Sequence, residues 1–178
     1  TGLTFEGLLR RNPTGWTVGL DLTPAMLERA RRRARSTEIS SDRYRLLERD
    51  VRHVELSDSD EVSDSDEVSS PDLAQPFDLL VSSYVLDLMD WEEIPDLLSR
   101  WRSLLHEERG KLALLYLAPS RRWFEQGWAL LPRLHRWALG GCRGIDPREA
   151  AREAGFRIEH HERIVQLTYP SEMIVCSV

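Results

Sequence analysis

The sequence predicts an α/β protein with a Rossmann-like, doubly wound and mostly parallel sheet that finishes in an antiparallel strand pair. Three observations predict it. Segments of helical period alternate with short apolar runs, which is the pattern of βα units. Lys111 to Ala118 is almost continuously apolar, as expected of a strand covered by helices on both faces. The last two runs, Phe156 to Val165 and Ser171 to Val178, are joined through Tyr169 and Pro170, a connection too short for the crossover that parallel neighbours require.

The elements follow in order. Thr4 to Arg11 reads as a short helix with Phe5, Leu8 and Leu9 inward, ended by Asn12, Pro13 and Gly15. Trp16 to Leu22 is rich in β-branched and apolar residues and reads as a strand. Thr23 and Pro24 then start a helix: a Thr hydroxyl can cap free amides, and Pro at the first helical position gives up no hydrogen bond. Leu27, Ala30 and Ala34 share one face of that helix, which leaves Arg29, Arg31, Arg32, Arg33 and Arg35 largely solvated. Tyr44 to Leu47 is a short strand. The motif SDSDEV then occurs at 57–62 and again at 63–68, too polar to offset ordering entropy by burial, so residues 57–71 are expected to form an acidic surface loop. A calcium site there is disfavoured, because the Gly turn and terminal Glu of a twelve-residue calcium loop are lacking.

Phe77 to Ser83 is a buried-type strand. Trp91 to His106 is an amphipathic helix aligning Ile94, Leu97, Leu98, Trp101, Leu104 and Leu105, with Gly110 as its closing glycine. After the strand from Lys111, residues 120–143 read as a helical, lid-like segment broken at Pro132 and carrying Trp123, Phe124, Trp128 and Trp137. Pro147 to Ala154 is a small helix ending at Gly155.

Composition places these elements in one domain, residues 1–178: the length suits a single core, and 41% hydrophobic with 30% charged residues is ordinary for a globular protein. A net charge of -6 argues against a general nucleic-acid binder, whose affinity rests on basic residues neutralising phosphates. Cys142 and Cys176 show neither metal-ligand spacing nor a disulfide framework; no metal is expected, and a reducing compartment, the cytoplasm, fits.

A nucleotide-type site on such a sheet forms beyond the carboxyl ends of its strands. Asp21 stands at such an end, about 20 positions beyond Gly2, where one carboxylate can accept from both hydroxyls of a ribose. The stretch T-G-L-T-F-E-G-L-L-R-R-N-P-T-G-W-T-V-G-L-D-L-T-P-A-M-L-E-R-A resembles the class I S-adenosylmethionine-dependent methyltransferases, in particular the branch with quinone-biosynthesis enzymes and their small-molecule relatives. F-D-L-L-V-S-S-Y-V-L at 77–86 is similar to that family's fourth-strand motif, and L-L-H-E-E-R-G-K-L-A-L-L-Y to its helix, turn and fifth strand, with Glu107, Glu108, Arg109 and Gly110 in place of the common Lys-Pro-Gly-Gly turn.

The resemblance implies S-adenosyl-L-methionine as cofactor and a small-molecule methyl acceptor. It makes Thr1 and Gly2 the end of a glycine loop whose leading glycines and first strand would precede Thr1. By the same resemblance Asp21 holds the ribose, Leu22 and Met26 lie against adenine, Asp50 and Val51 read its edge, and Ser82 and Ser83 line the methionine end. Methyl transfer needs no dedicated base; Tyr84, Asp87 and His135 are the titratable candidates. Asp21 alone would equally suit a nicotinamide-dependent oxidoreductase, and a non-catalytic subunit of the same fold is a third reading. Arg121, Arg122, Arg133, Arg136 and Arg143, interleaved with tryptophans, add an expectation of an anionic or apolar acceptor, or of peripheral membrane contact through 121–143.

Overall fold

The computed structural model describes residues 2–54, 76–119, 143–166 and 169–178. The chain divides into two compact units, Thr1–Gln75 and Pro76–Val178. The acidic repeat and most of the expected lid-like segment lie outside the described residues.

In the first unit, α1 (Leu3–Arg11), β1 (Thr17–Asp21), α2 (Pro24–Arg35) and β2 (Tyr44–Glu48) form a βαβ arrangement preceded by a helix. The two strands are parallel, with Thr17 opposite Tyr44 and Asp21 opposite Glu48. Phe5, Leu9, Ala30 and Ala34 are its buried core, against which Ile39, Tyr44 and Leu46 pack. Phe5 meets the Tyr44 ring edge-on, at 5.8 Å between centroids. Leu8, expected inward, is only half-buried. Gly19 is a packing requirement: a Cβ there would stand 2.7 Å from Leu46 Cδ2 and 2.9 Å from the Phe5 ring.

The expected cap of α2 differs. The Thr23 side chain makes no capping bond; instead the Thr23 amide donates to Asp21 Oδ1 at 2.8 Å. The strand's terminal carboxylate therefore orders the entry to the helix, and the Thr23 carbonyl accepts from Met26 and Leu27.

The second unit holds a four-stranded sheet in the order β3 (Leu79–Ser83), β4 (Lys111–Leu117), β6 (Tyr169–Ser177), β5 (Arg157–Gln166). β3 and β4 are parallel. The last two strands are antiparallel to each other as expected, but β6 also inserts between β4 and β5, antiparallel to both. Along β4, Leu112, Leu114 and Tyr116 are buried and stand opposite Cys176, Ile174 and Glu172. Cys176 is buried as a free thiol, and burial pushes its pKa up to about 11.

The predicted Trp91 to His106 helix is shorter. Trp91–Glu93 is a 3₁₀ turn and α3 proper is Ile94–Ser103, with Ile94, Leu97, Leu98 and Trp101 buried. It stops before Leu104 because the backbone changes partner there: the Phe77 amide donates to Leu104 O, and the His106 amide donates to Phe77 O. Gly110 is consequently not a helix cap. Its role is steric, since a Cβ would press to 2.4 Å from His106 O. The glycine that does turn left-handed after a helix is Gly155, at φ 88°, following α4 (Arg148–Glu153).

Candidate functional site

The sequence-predicted cofactor residues fall in both units. In the first, β1 delivers Asp21 to its carboxyl end, half-buried. Its Oδ1 is held by the Thr23 amide, while Oδ2 takes no hydrogen bond among the described residues. A half-buried carboxylate fixed by one oxygen and open at the other fits a diol partner. Leu22 beside it is 59% exposed, and Met26 on the first turn of α2 is half-buried.

Gly2 precedes α1 with φ 76°, a conformation glycine adopts without strain. A Cβ at this position would lie 2.7 Å from the Ala30 backbone, so the chain passes α2 more closely than any side chain permits. Gly2 has no side chain to cap α1, so among the described residues the helix start lacks a side-chain capping bond, as a polar ligand group would require.

Asp50 is engaged within the chain. It accepts from the Arg52 amide at 2.9 Å and from the Arg52 guanidinium at 2.6 Å, and caps the 3₁₀ turn Val51–His53. These bonds hold its carboxyl down at about 2. They use much of its acceptor capacity, so Asp21 is the more open acceptor of the two.

In the second unit, Ser82 is buried and Ser83 half-buried at the end of β3. Tyr84 follows in the left-handed region, φ 55°, a conformation costing a non-glycine residue about 1–3 kcal/mol. Its amide donates to Leu115 O at 2.8 Å, and its hydroxyl pairs with Ser171 Oγ of β6 at 2.9 Å. Asp87 is fully buried. Both its oxygens face the Leu117 amide at 3.2 Å, and desolvation pushes its carboxyl up to about 7. The Arg143 amide donates to Asp87 O at 3.1 Å, and its guanidinium reaches Met89 O and Asp90 Oδ1. The turn after β3 is thus tied to β4, to β6 and to the segment from Arg143. His135 lies outside the described residues, as do the tryptophans and all but Arg143 of the arginines assigned to the lid.

One polar cluster was missed by sequence reasoning. Glu172, 6% exposed, accepts from the Tyr116 hydroxyl at 3.1 Å, pairs with His161 Nε2 at 3.0 Å and stands 3.5 Å from Arg163. Burial, with the Glu172 charge beside it, raises the Tyr116 phenol well above its ordinary range. A bulge between Ile158 and His160 brings His161 opposite Ile174 and Arg163 opposite Glu172. In an unbroken strand Glu162 would have faced Glu172. Only the alternation of charge along 159–163 hinted at this, and it does not reveal where a bulge falls.

With this geometry in place, comparison with known proteins defines the class. Residues 1–112, more than half of the chain, match the model described as a methyltransferase domain, and the chain belongs to that family. No curated protein matches it in sequence. Solved structures share its fold. An O-methyltransferase family 2 protein from Planctomyces limnophilus, in complex with apigenin, is 19% identical at a TM-score of 0.65, covering 99% of this chain and 48% of that one. Magnesium protoporphyrin IX methyltransferase from Synechocystis, with bound S-adenosylhomocysteine, is 16% identical at 0.62, covering 90% and 63%. N,N-8-amino-8-demethyl-D-riboflavin dimethyltransferase from Streptomyces davawensis is 19% identical at 0.62, covering 99% and 46%. The chain spans about half to three fifths of the length of these structures. Among the described residues no helix is long and apolar enough to cross a membrane, and no group of His, Cys, Asp or Glu side chains is placed to hold a metal ion.

Proposed function

We propose that the protein transfers the methyl group of S-adenosylmethionine to a small-molecule acceptor in the cytoplasm. The observation that carries this reading is Asp21: in a chain of the methyltransferase-domain family, a half-buried carboxylate ends β1 with one oxygen anchored and the other open. Family membership also separates methyl transfer from the nicotinamide chemistry that an acid at this position would otherwise suit.

Each residue then has a task that its surroundings permit. Asp21 accepts from the ribose hydroxyls. Leu22 offers an exposed apolar face to adenine, with Met26 on the following turn, and Val51 with Asp50 reads the adenine edge. Gly2 admits the cofactor's polar end to the open amides of α1. Ser82 and Ser83 line the methionine portion.

S-adenosylmethionine, with its ribose on Asp21, would supply an electrophilic sulfonium methyl for direct displacement, the acceptor's electron pair forming the new bond to carbon while sulfur keeps the pair of the bond that breaks. Positioning and exclusion of water supply much of the acceleration, and the acceptor's proton leaves to solvent. A small neutral or phenolic acceptor is in keeping with the apigenin complex of the Planctomyces protein. The net charge of -6 supports exclusion of nucleic acid.

Calorimetry with S-adenosylhomocysteine on the full-length protein tests the reading. Asp21→Ala is expected to weaken binding by roughly 1.5–3 kcal/mol, the range for hydrogen bonds to a charged group. Equal affinity in the variant and the parent would remove the site assignment.

A further inference from the structure

The strain at Tyr84 is unexplained by the fold alone. Glycine would take φ 55° freely, yet a tyrosine stands there, at the carboxyl end of a parallel strand where ligands of α/β sheets bind. The strain persists because the turn is over-determined. Tyr84 N is bonded to Leu115 O, Asp87 to the Leu117 amide, and Arg143 to Asp87 O, Met89 O and Asp90. Such outliers, held by their surroundings, gather at ligand contacts.

Chemistry narrows the ligand. Tyr84 as a whole residue is 36% exposed, so a ligand can approach it. The hydroxyl is paired with the buried Ser171, and two paired hydroxyls retain both donor and acceptor capacity for a third group. Among the described residues the cation hydrogen-bonded to this turn, Arg143, is committed to Met89 and Asp90. The combination suits a planar, uncharged, hydroxyl-bearing molecule rather than an anion.

Resting on the methyl-transfer reading above, we infer that Tyr84, anchored by Ser171, is an acceptor-contacting residue that selects planar hydroxylated acceptors. It holds the acceptor by stacking and by a hydrogen bond, and it is neither a base nor a cofactor ligand.

The test uses the full-length protein saturated with S-adenosylhomocysteine, with apigenin as probe, followed by calorimetry. The parent binds apigenin. Tyr84→Phe and Ser171→Ala weaken that binding about threefold to tenfold, the loss of one hydrogen bond. Tyr84→Gly weakens it by at least about tenfold, as ring and hydroxyl both go, without lowering the melting temperature, because the backbone strain is relieved. Affinity for S-adenosylhomocysteine stays within about twofold throughout. Parent-like apigenin binding by Tyr84→Gly overturns the assignment, as does a parent that binds S-adenosylhomocysteine but not apigenin. A lower melting temperature in Tyr84→Gly with unchanged apigenin binding makes Tyr84 structural. Failure of the parent to bind S-adenosylhomocysteine is a different result, and it removes the methyl-transfer reading itself.

Discussion

At Asp87 burial works against ionisation, and the consequence is a pH-dependent stability. Its folded carboxyl titrates at about 7, above the ordinary unfolded value of about 3.9. The folded state therefore binds the extra proton between those limits, so this group's contribution is complete below about pH 4 and is lost as pH rises towards 7. Asp87→Asn removes that dependence while keeping an acceptor for the Leu117 amide. The melting temperature of the parent should fall more between pH 5 and pH 8 than that of the variant; parallel profiles would show that Asp87 is not titrating as its burial implies. Glu172 gives a second check, because its loss leaves the buried Tyr116 hydroxyl without that partner. Glu172→Ala should cost about 1–3 kcal/mol in denaturant unfolding, and less when combined with Tyr116→Phe. Residue type foretold some of this scale and not the rest. The position of Asp21 at the carboxyl end of β1 was legible because an acid after an apolar strand marks where the strand stops. Tyr84 was legible as a titratable group, but its left-handed backbone was not, since no glycine marked it.

Among the elements, those with a strong period were the most readable. The helix around Ile94, Leu97, Leu98 and Trp101 buries the face its spacing requires. Its end was misread because Leu104 and His106 exchange backbone bonds with Phe77, a partner distant in sequence. The bulge in β5 is invisible for a related reason: it is a change of register against β6, which places Arg163 opposite Glu172 and which the alternation along β5 alone does not reveal. Removing Glu159 should test this. The pairing from His160 onward keeps its partners without it, and the exposed Lys111–Glu159 ion pair at 2.9 Å that it sacrifices is worth at most about 1 kcal/mol. A denaturant midpoint close to the parent's is therefore expected, whereas a loss as large as that of Glu172→Ala would mean that the bulge itself is needed. In the first unit, Gly19→Val should cost about 1–3 kcal/mol or more, because Leu46 and Phe5 already occupy the space of a Cβ. Thermal unfolding reads that change directly.

At the scale of the molecule, alternation of elements foretold the α/β class and the antiparallel close, and the motif order pointed to the methyltransferase family. The insertion of β6 between β4 and β5 was not legible, because sequence neighbours constrain pairing more than sheet order does. Among the described residues the second unit contains a four-stranded sheet and the first a two-stranded one. Residues 76–178 expressed alone should show a cooperative thermal transition, while 1–75 alone should not, a contrast that circular dichroism distinguishes. Cys176 supplies a clock for this second unit. It is buried near the carboxyl end of β6, opposite Leu112 on one side and Ile158 on the other, and it remains a thiol at pH 8. In a Cys142→Ser variant it is the sole sulfhydryl of the chain. An aromatic disulfide reagent can then reach it when this end of β6 parts from β4 and β5, so the rate of colour release counts the openings at that edge of the unit.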